Sequence, residues 1–124
     1  MKKYVIIGNS AAGISAVEAI RELDNESPIT VVSDEPTPYY SRCLLPNYVA
    51  GEMSKEDLMM RSMEWYESSN IELILGKSIA QVMEKKVVLD SGTLPYDKLL
   101  IATGSSPILP RVDFLSGLRT INAI

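Results

Sequence analysis

The chain has 124 residues, a length that fits one domain, and its 46% hydrophobic and 23% charged composition is globular rather than disordered or repetitive. Sixteen acidic residues against twelve basic ones leave a net charge of −4, which argues against a nucleic-acid backbone or an anionic membrane as partner. There is no histidine, which removes imidazole general bases, Ser-His triads and most zinc sites.

No apolar stretch approaches the ~20 residues of a membrane span. The start Met1-Lys2-Lys3 runs at once into a short apolar segment, too short for a signal peptide. The lone cysteine, Cys43, cannot form an internal disulfide, and together these features predict a cytoplasmic protein.

Residues 3–7 are a β-branched run stopped by Gly8, the pattern of a buried parallel strand. After the small-residue turn Asn9-Ser10-Ala11-Ala12-Gly13, apolar residues at 14, 16, 17, 19, 20 and 23 predict a helix over 14–23. A second strand follows at 29–32, so residues 3–34 form a βαβ unit with parallel strands. Pro36, Pro38 and Pro46 then stiffen a segment suited to holding a ligand. Ser54-Lys55-Glu56-Asp57 is a capping signal, and a further helix is expected from Ser62 to near Asn70. A strand at 71–75, a hairpin at 78–83 and 86–89, a turn at 90–92 and a buried strand at 98–102 complete the reading. Met53, Met59, Met60 and Met63 read as fillers of irregular core gaps rather than metal ligands, and Trp65 and Tyr66 read as packing. No metal site is expected.

The first strand ends in Gly8-Asn9-Ser10-Ala11-Ala12-Gly13, a G-x-G-x-x-G loop with Ser10 at the middle glycine position. Such a loop brings backbone N–H groups at a helix start close to a dinucleotide diphosphate, though glycines between strand and helix also serve packing. Asp34 lies 21 residues beyond Gly13, near the ~20 expected of a carboxylate that accepts from ribose hydroxyls. Its alternative is a solvated acid at a strand end. If the loop binds a diphosphate, Gly8→Val is expected to cost ligand binding more than folding.

The runs VIIGNSAAGISAVEAI, ITVVSDEPTPYYSRCLLPNYVAGE and YDKLLIATGSSP cover essentially the whole chain in this order. They resemble the FAD domain of the pyridine nucleotide-disulfide oxidoreductase superfamily, in particular its NADH oxidase, CoA-disulfide reductase, rubredoxin reductase, ferredoxin reductase and apoptosis-inducing factor branches. The resemblance implies an α/β fold: a three-layer Rossmann-like FAD-binding domain with a parallel sheet and a small β-meander, here incomplete. It places the FAD diphosphate on Gly8, Ser10, Ala11, Ala12 and Gly13, the ribose on Asp34, and Arg42 toward the phosphates. It sets the Ile79 backbone against the adenine and Ala102, Thr103 and Gly104 beside the cofactor. Asn47 stands where the family often carries Lys near the flavin. Arg42 could equally be a surface ion-pair partner and Ile79 a core residue. Cys43 occupies the position of the redox cysteine in two of the branches, at the start of a helix under the flavin. Leu44 follows it where those branches usually have Gly, and two readings stand: a redox thiol or a small buried hydrophobe.

Complete members of the superfamily insert an NADH domain and then return to finish the FAD domain. This chain has one glycine loop, and residues 117–121 resemble the point of departure. It is expected to be the N-terminal portion, 1–124, of an FAD-binding domain without its NAD(P)H domain, either truncated or one subunit of a split enzyme. The implied function is hydride transfer from NAD(P)H through flavin to a disulfide, oxygen or a redox protein, with no NAD(P)H turnover expected of this chain alone. Two alternatives are a non-catalytic adenine-nucleotide-binding module and a folded fragment with an empty site. Expected partners are FAD and either a complementary subunit or a second copy of the chain.

Overall fold

Strand β1 (Tyr4–Ile7) leads through the glycine loop into helix α1 (Ala11–Leu23) and on to β2 (Ile29–Val32) in a computed structural model that describes residues 1–108. The family's departure point at 117–121 lies outside the described residues. Helix α1 begins at Ala11, three residues before the apolar periodicity starts. Ser10 takes an extended conformation as the N-cap, and two alanines, the best helix formers, open the first turn.

The remaining helices are short. A single 3-10 turn (Arg42–Leu44) runs into α2 (Leu45–Val49), followed by α3 (Lys55–Leu58) and α4 (Met63–Ser68). The Ser54 and Asp57 side chains cap α3 reciprocally, and the Ser62 hydroxyl accepts from the Trp65 N–H to start α4. Asn70, in the left-handed region at φ 54°, stops the chain after α4 and turns it into β3 (Ile71–Ile74). Strands β4 (Ile79–Val82), β5 (Lys86–Leu89) and β6 (Gly92–Pro95) precede β7 (Lys98–Ile101).

Four strands form a parallel sheet in the order β3-β2-β1-β7, and β4-β5-β6 form a separate antiparallel meander. The alternation of side chains along β1 divides the core. Ile6, with Ile29 and Val31 of β2, faces Ile14 and Val17 of α1 and Tyr66 of α4. Val5 and Ile7, with Val32, face Val87 and Leu89 of the meander. Helices, parallel sheet and meander therefore make the three expected layers.

Three local expectations are corrected. The turn at 90–92 opens a third meander strand, Gly92–Pro95, whose pairing with β5 only the tertiary fold reveals. Strand β7 stops at Ile101, one residue early, and is largely exposed rather than buried, because among the described residues it lies at the edge of the sheet. Met60 and Met63 are exposed rather than core fillers; at Met63 this follows from α4 turning Tyr66 inward instead.

One cation pins the helix layer to the loops. The Arg21 guanidinium, at the end of α1, donates to the carbonyls of Ser69 (2.8 Å), Asn70 (2.8 Å), Asp24 (3.0 Å) and Ser27 (2.9 Å). These bonds satisfy carbonyls at the end of α4 and in the α1–β2 turn that no strand or helix pairs.

Candidate functional site

The chain passes from β1 to α1 with almost no room between backbones. A Cβ on Gly8 would overlap the Ala102 carbonyl oxygen, and one on Gly13 would overlap the Gly8 carbonyl oxygen. Gly8 also takes φ +119°, which L side chains rarely adopt. The expectation that a branched residue at Gly8 would spare the fold is therefore corrected: its first obstacle is the chain's own backbone, where Ala102 leaves β7.

This contact sets the start of α1 at the C-terminal ends of the parallel strands, beside the point where the strand order reverses between β1 and β7. There a cavity of about 890 Å³ opens. Its walls come from the glycine loop, the end of β2 through Glu35, Arg42 and Leu45, the segment 77–79, and residues 102–106. Among the residues picked out from sequence, Gly8, Ser10, Ala11, Ala12, Asp34, Arg42, Ile79, Ala102, Thr103 and Gly104 all line it. Gly13 is buried behind the loop.

The helix start is unusually open. Ser10 makes no side-chain cap, no acidic residue occupies the first turn, and the first intrahelical bond runs from the Ile14 N–H to the Ser10 carbonyl (2.9 Å). The N–H groups of Ala11, Ala12 and Gly13 have no intrahelical acceptor, and α1 adds its dipole to them. That arrangement receives an anion.

Across the cavity, the β2 exit is fixed to the neighbouring strand. The Ser33 N–H donates to the Ile74 carbonyl (2.9 Å), Gly76 N–H to Glu35 (3.1 Å), and Lys77 N–H to Ser33 (3.0 Å). Asp34 is exposed there and makes no hydrogen bond or ion pair among the described residues. Glu35 instead pairs with Arg42 Nη2 and accepts from the Tyr40 hydroxyl at 2.6 Å. Arg42 Nη1 donates to Ser10 Oγ at 3.2 Å, so this side chain joins the acidic loop to the glycine loop. Burial, followed by the hydrogen bond to Glu35, pushes the Tyr40 hydroxyl up to about 12.

Two expected site residues lie elsewhere. Asn47 is exposed and donates to Glu52 (2.6 Å). Cys43 is exposed and is not part of the cavity wall, although Arg42 and Leu45 on either side are. With three residues per 3-10 turn, positions 42 and 45 share a face and position 43 falls off it. The reading of Cys43 as a buried hydrophobe is thereby excluded.

Sequence reasoning missed Glu35, Tyr40 and Lys77, and also the support beneath the loop. The Tyr66 hydroxyl, 1% exposed, donates to Asn9 Oδ1 (2.7 Å) and accepts from the Tyr39 N–H (3.1 Å). Two adjacent acids followed by an arginine seven residues later was a legible signal for the Glu35 pair. Nothing local marks the Tyr66–Asn9 contact.

Residues 2–122 match the family of pyridine nucleotide-disulphide oxidoreductases. The chain belongs to that family. It is 39% identical over 114 residues to the assimilatory nitrate reductase electron transfer subunit of Bacillus subtilis, covering 88% of this chain and 15% of that protein. It is 38% identical to the nitrite reductase [NAD(P)H] of the same organism, covering 88% of this chain and 14% of the relative. Among solved structures, NADH:rubredoxin oxidoreductase from Clostridium acetobutylicum superposes with a TM-score of 0.82 at 31% identity, over 90% of this chain and 30% of that one. This family member thus spans about one seventh of the two Bacillus relatives. No helix among the described residues is long and apolar enough to cross a membrane, and they contain no cluster of three metal-ligating side chains.

Two outcomes follow from this geometry. Gly8→Ala is expected to lower the melting temperature of the ligand-free chain by several degrees or to abolish cooperative unfolding, as scanning calorimetry would show; an unchanged transition would contradict the backbone contact. Because Tyr40 is raised to about 12 against an ordinary 10, the unfolded chain loses this proton first. Its contribution to stability is complete below pH 10 and disappears between pH 10 and about 12. Urea midpoints across that window should fall more steeply for the native chain than for Tyr40→Phe.

Proposed function

We propose that the chain is the FAD-binding portion of an NAD(P)H-dependent flavoprotein oxidoreductase, with the NAD(P)H-binding part supplied by further polypeptide. One observation carries the reading: an uncapped helix N-terminus opens onto the cavity opposite an exposed carboxylate, Asp34, that makes no hydrogen bond or ion pair among the described residues. This pairing fits a nucleotide diphosphate and its ribose. Backbone glycines that leave no Cβ between the loop and the cavity wall fit it too.

In this reading the N–H groups at the start of α1 hold the diphosphate, Arg42 adds charge, and Asp34 accepts from the ribose hydroxyls. The Ile79 backbone borders the adenine, and Ala102, Thr103 and Gly104 line the way to the flavin end. The bound flavin supplies hydride uptake from NAD(P)H and electron release to an acceptor. Lys77 joins Arg42 as a second cation on the cavity wall, where it offsets the cofactor's charge.

For the acceptor we favour a redox protein over the Cys43 thiol. The relatives' names support this, one being an electron transfer subunit and another a rubredoxin oxidoreductase. The phase of the 3-10 turn, which takes Cys43 off the cavity face, supports it as well. The flank by β7 suits a polypeptide partner, either a complementary subunit or a second copy: Leu100 and Ile101 are 38% and 60% exposed, beside an apolar depression lined by Tyr4, Ile20 and Leu99. A cytoplasmic setting goes with the unpaired cysteine.

Titration calorimetry with ADP, FAD and riboflavin tests the reading. ADP and FAD should bind and riboflavin should bind more weakly, while Asp34→Ala should cost roughly 1.5–3 kcal/mol, on the order of ten- to a hundredfold in affinity. Tighter binding of riboflavin than ADP would overturn it. ADP binding without retention of FAD would favour a non-catalytic nucleotide module, and binding of neither would leave a folded fragment.

Labelling addresses Cys43. The exposed thiol should react with a thiol reagent at one rate with or without saturating FAD. Strong protection by FAD would return it to the flavin as a redox residue.

A further inference from the structure

The two carboxylates at the end of β2 are used differently. Asp34 is free to meet a ligand, whereas both oxygens of Glu35 are taken up by Arg42 and Tyr40. Tyr40 is the fixed point of the group. It is 4% exposed and its backbone bridges to Met59. The residues on either side are tied to the same segment, Ser41 N–H to the Leu58 carbonyl and Met60 N–H to the Tyr39 carbonyl, both at 2.9 Å. The Glu35 carbonyl is itself bonded to the Gly76 N–H.

Arg42 is the mobile member by nature. Its side chain is 47% exposed, and an arginine carries about 2 kcal/mol of rotamer entropy that a ligand would have to freeze. Here the cost is met before any ligand arrives. One Nη is held by Glu35, the other reaches Ser10 in the glycine loop, and the guanidinium carbon lies 5.3 Å from the centroid of the Tyr40 ring. Those bonds use two of the five N–H donors of a guanidinium, so donors remain for phosphate oxygens.

We propose that Glu35 and Tyr40 are positioning residues that hold the Arg42 guanidinium over Ser10, ready for the diphosphate of a bound nucleotide. The inference rests on the nucleotide-binding reading of the cavity and adds to it a pair that acts through Arg42. Burial keeps the Tyr40 proton in place well above neutral pH, so the hydroxyl remains a donor to Glu35. Pre-organisation of this kind acts on affinity by sparing the ligand the ordering cost.

The test uses the full chain, with ADP as the probe that carries the diphosphate and adenosine as the probe that lacks it. Tyr40→Phe keeps the buried ring, and Glu35→Gln keeps the side-chain shape. Each should weaken ADP roughly three- to tenfold and leave adenosine unchanged. In an Arg42→Ala background, Tyr40→Phe should have no further effect on ADP. The proposal is overturned if Tyr40→Phe weakens ADP equally with and without Arg42, weakens adenosine as much as ADP, or changes neither. A ligand-free measurement separates this from the parent reading. Nitrogen-15 NMR should show slow rotation of the Arg42 guanidinium in the native chain and fast rotation in Glu35→Gln. If ADP fails to bind the native chain, the nucleotide reading falls while this signal still judges the hold. Equal rotation in both proteins overturns the hold itself.

Discussion

The contact on which the site depends is one of backbone on backbone. Gly8 lies against the carbonyl of Ala102, and Gly13 lies against the carbonyl of Gly8, so the end of β1, the start of α1 and the exit of β7 meet without an intervening side chain. Any Cβ there would push α1 off the sheet. With it would go the packing of Ile14 and Val17 on Ile6 and Val31. The packing and ligand readings of the glycine motif are therefore two consequences of one geometry. Bringing the helix start this close to the sheet is what turns its unpaired N–H groups into the cavity.

The electrostatics of the cavity follow from that placement. In a chain of net charge −4, the wall offers two carboxylates, Asp34 and Glu35, and two cations, Arg42 and Lys77. The balanced side chains alone give a dianionic diphosphate no net attraction. The missing positive field is supplied by the dipole of the 13-residue α1 and its open first turn. An acid capping residue at Ser10 would satisfy the same N–H groups and cancel the same field. An open first turn of this kind suits the anion of the proposed ligand.

What could be read from the sequence was local. The β-branched runs at 3–7 and 29–32 identified the two central strands of the parallel sheet, because burial on both faces writes itself into consecutive residues, and the strand at 71–75 was marked by its apolar residues and the Gly76 stop. The G-x-G-x-x-G loop and the acid at Asp34 located two walls of the cavity. Strand β6 escaped, since Thr93, Leu94 and Pro95 have no strand signature of their own and pair only because β5 lies beside them. The true start of α1 escaped because periodicity marks only the residues that face the core, and Ala11 and Ala12 face the cavity. The support of Asn9 by Tyr66 joins residues 57 apart in sequence, and no spacing rule reaches that far.

The residues around the cavity bear on one end of the proposed cofactor. The described chain presents to the cavity open helix N–H groups, the Asp34 carboxylate, the cations Arg42 and Lys77 and the 77–79 segment, a set whose chemistry suits the nucleotide end of the proposed cofactor. Nothing in that set depends on the identity of the electron acceptor. Relatives named for nitrate reductase electron transfer, nitrite reduction and rubredoxin reduction are 31–39% identical to this chain over the stretches they match. Backbone contacts such as Gly8 on Ala102 leave no room for a Cβ. Under the proposed function, acceptor choice falls to surfaces outside this cavity. In the described part of the chain, the flank beside β7 is one surface with exposed hydrophobic character of the kind a polypeptide contact uses, which fits the proposed partner.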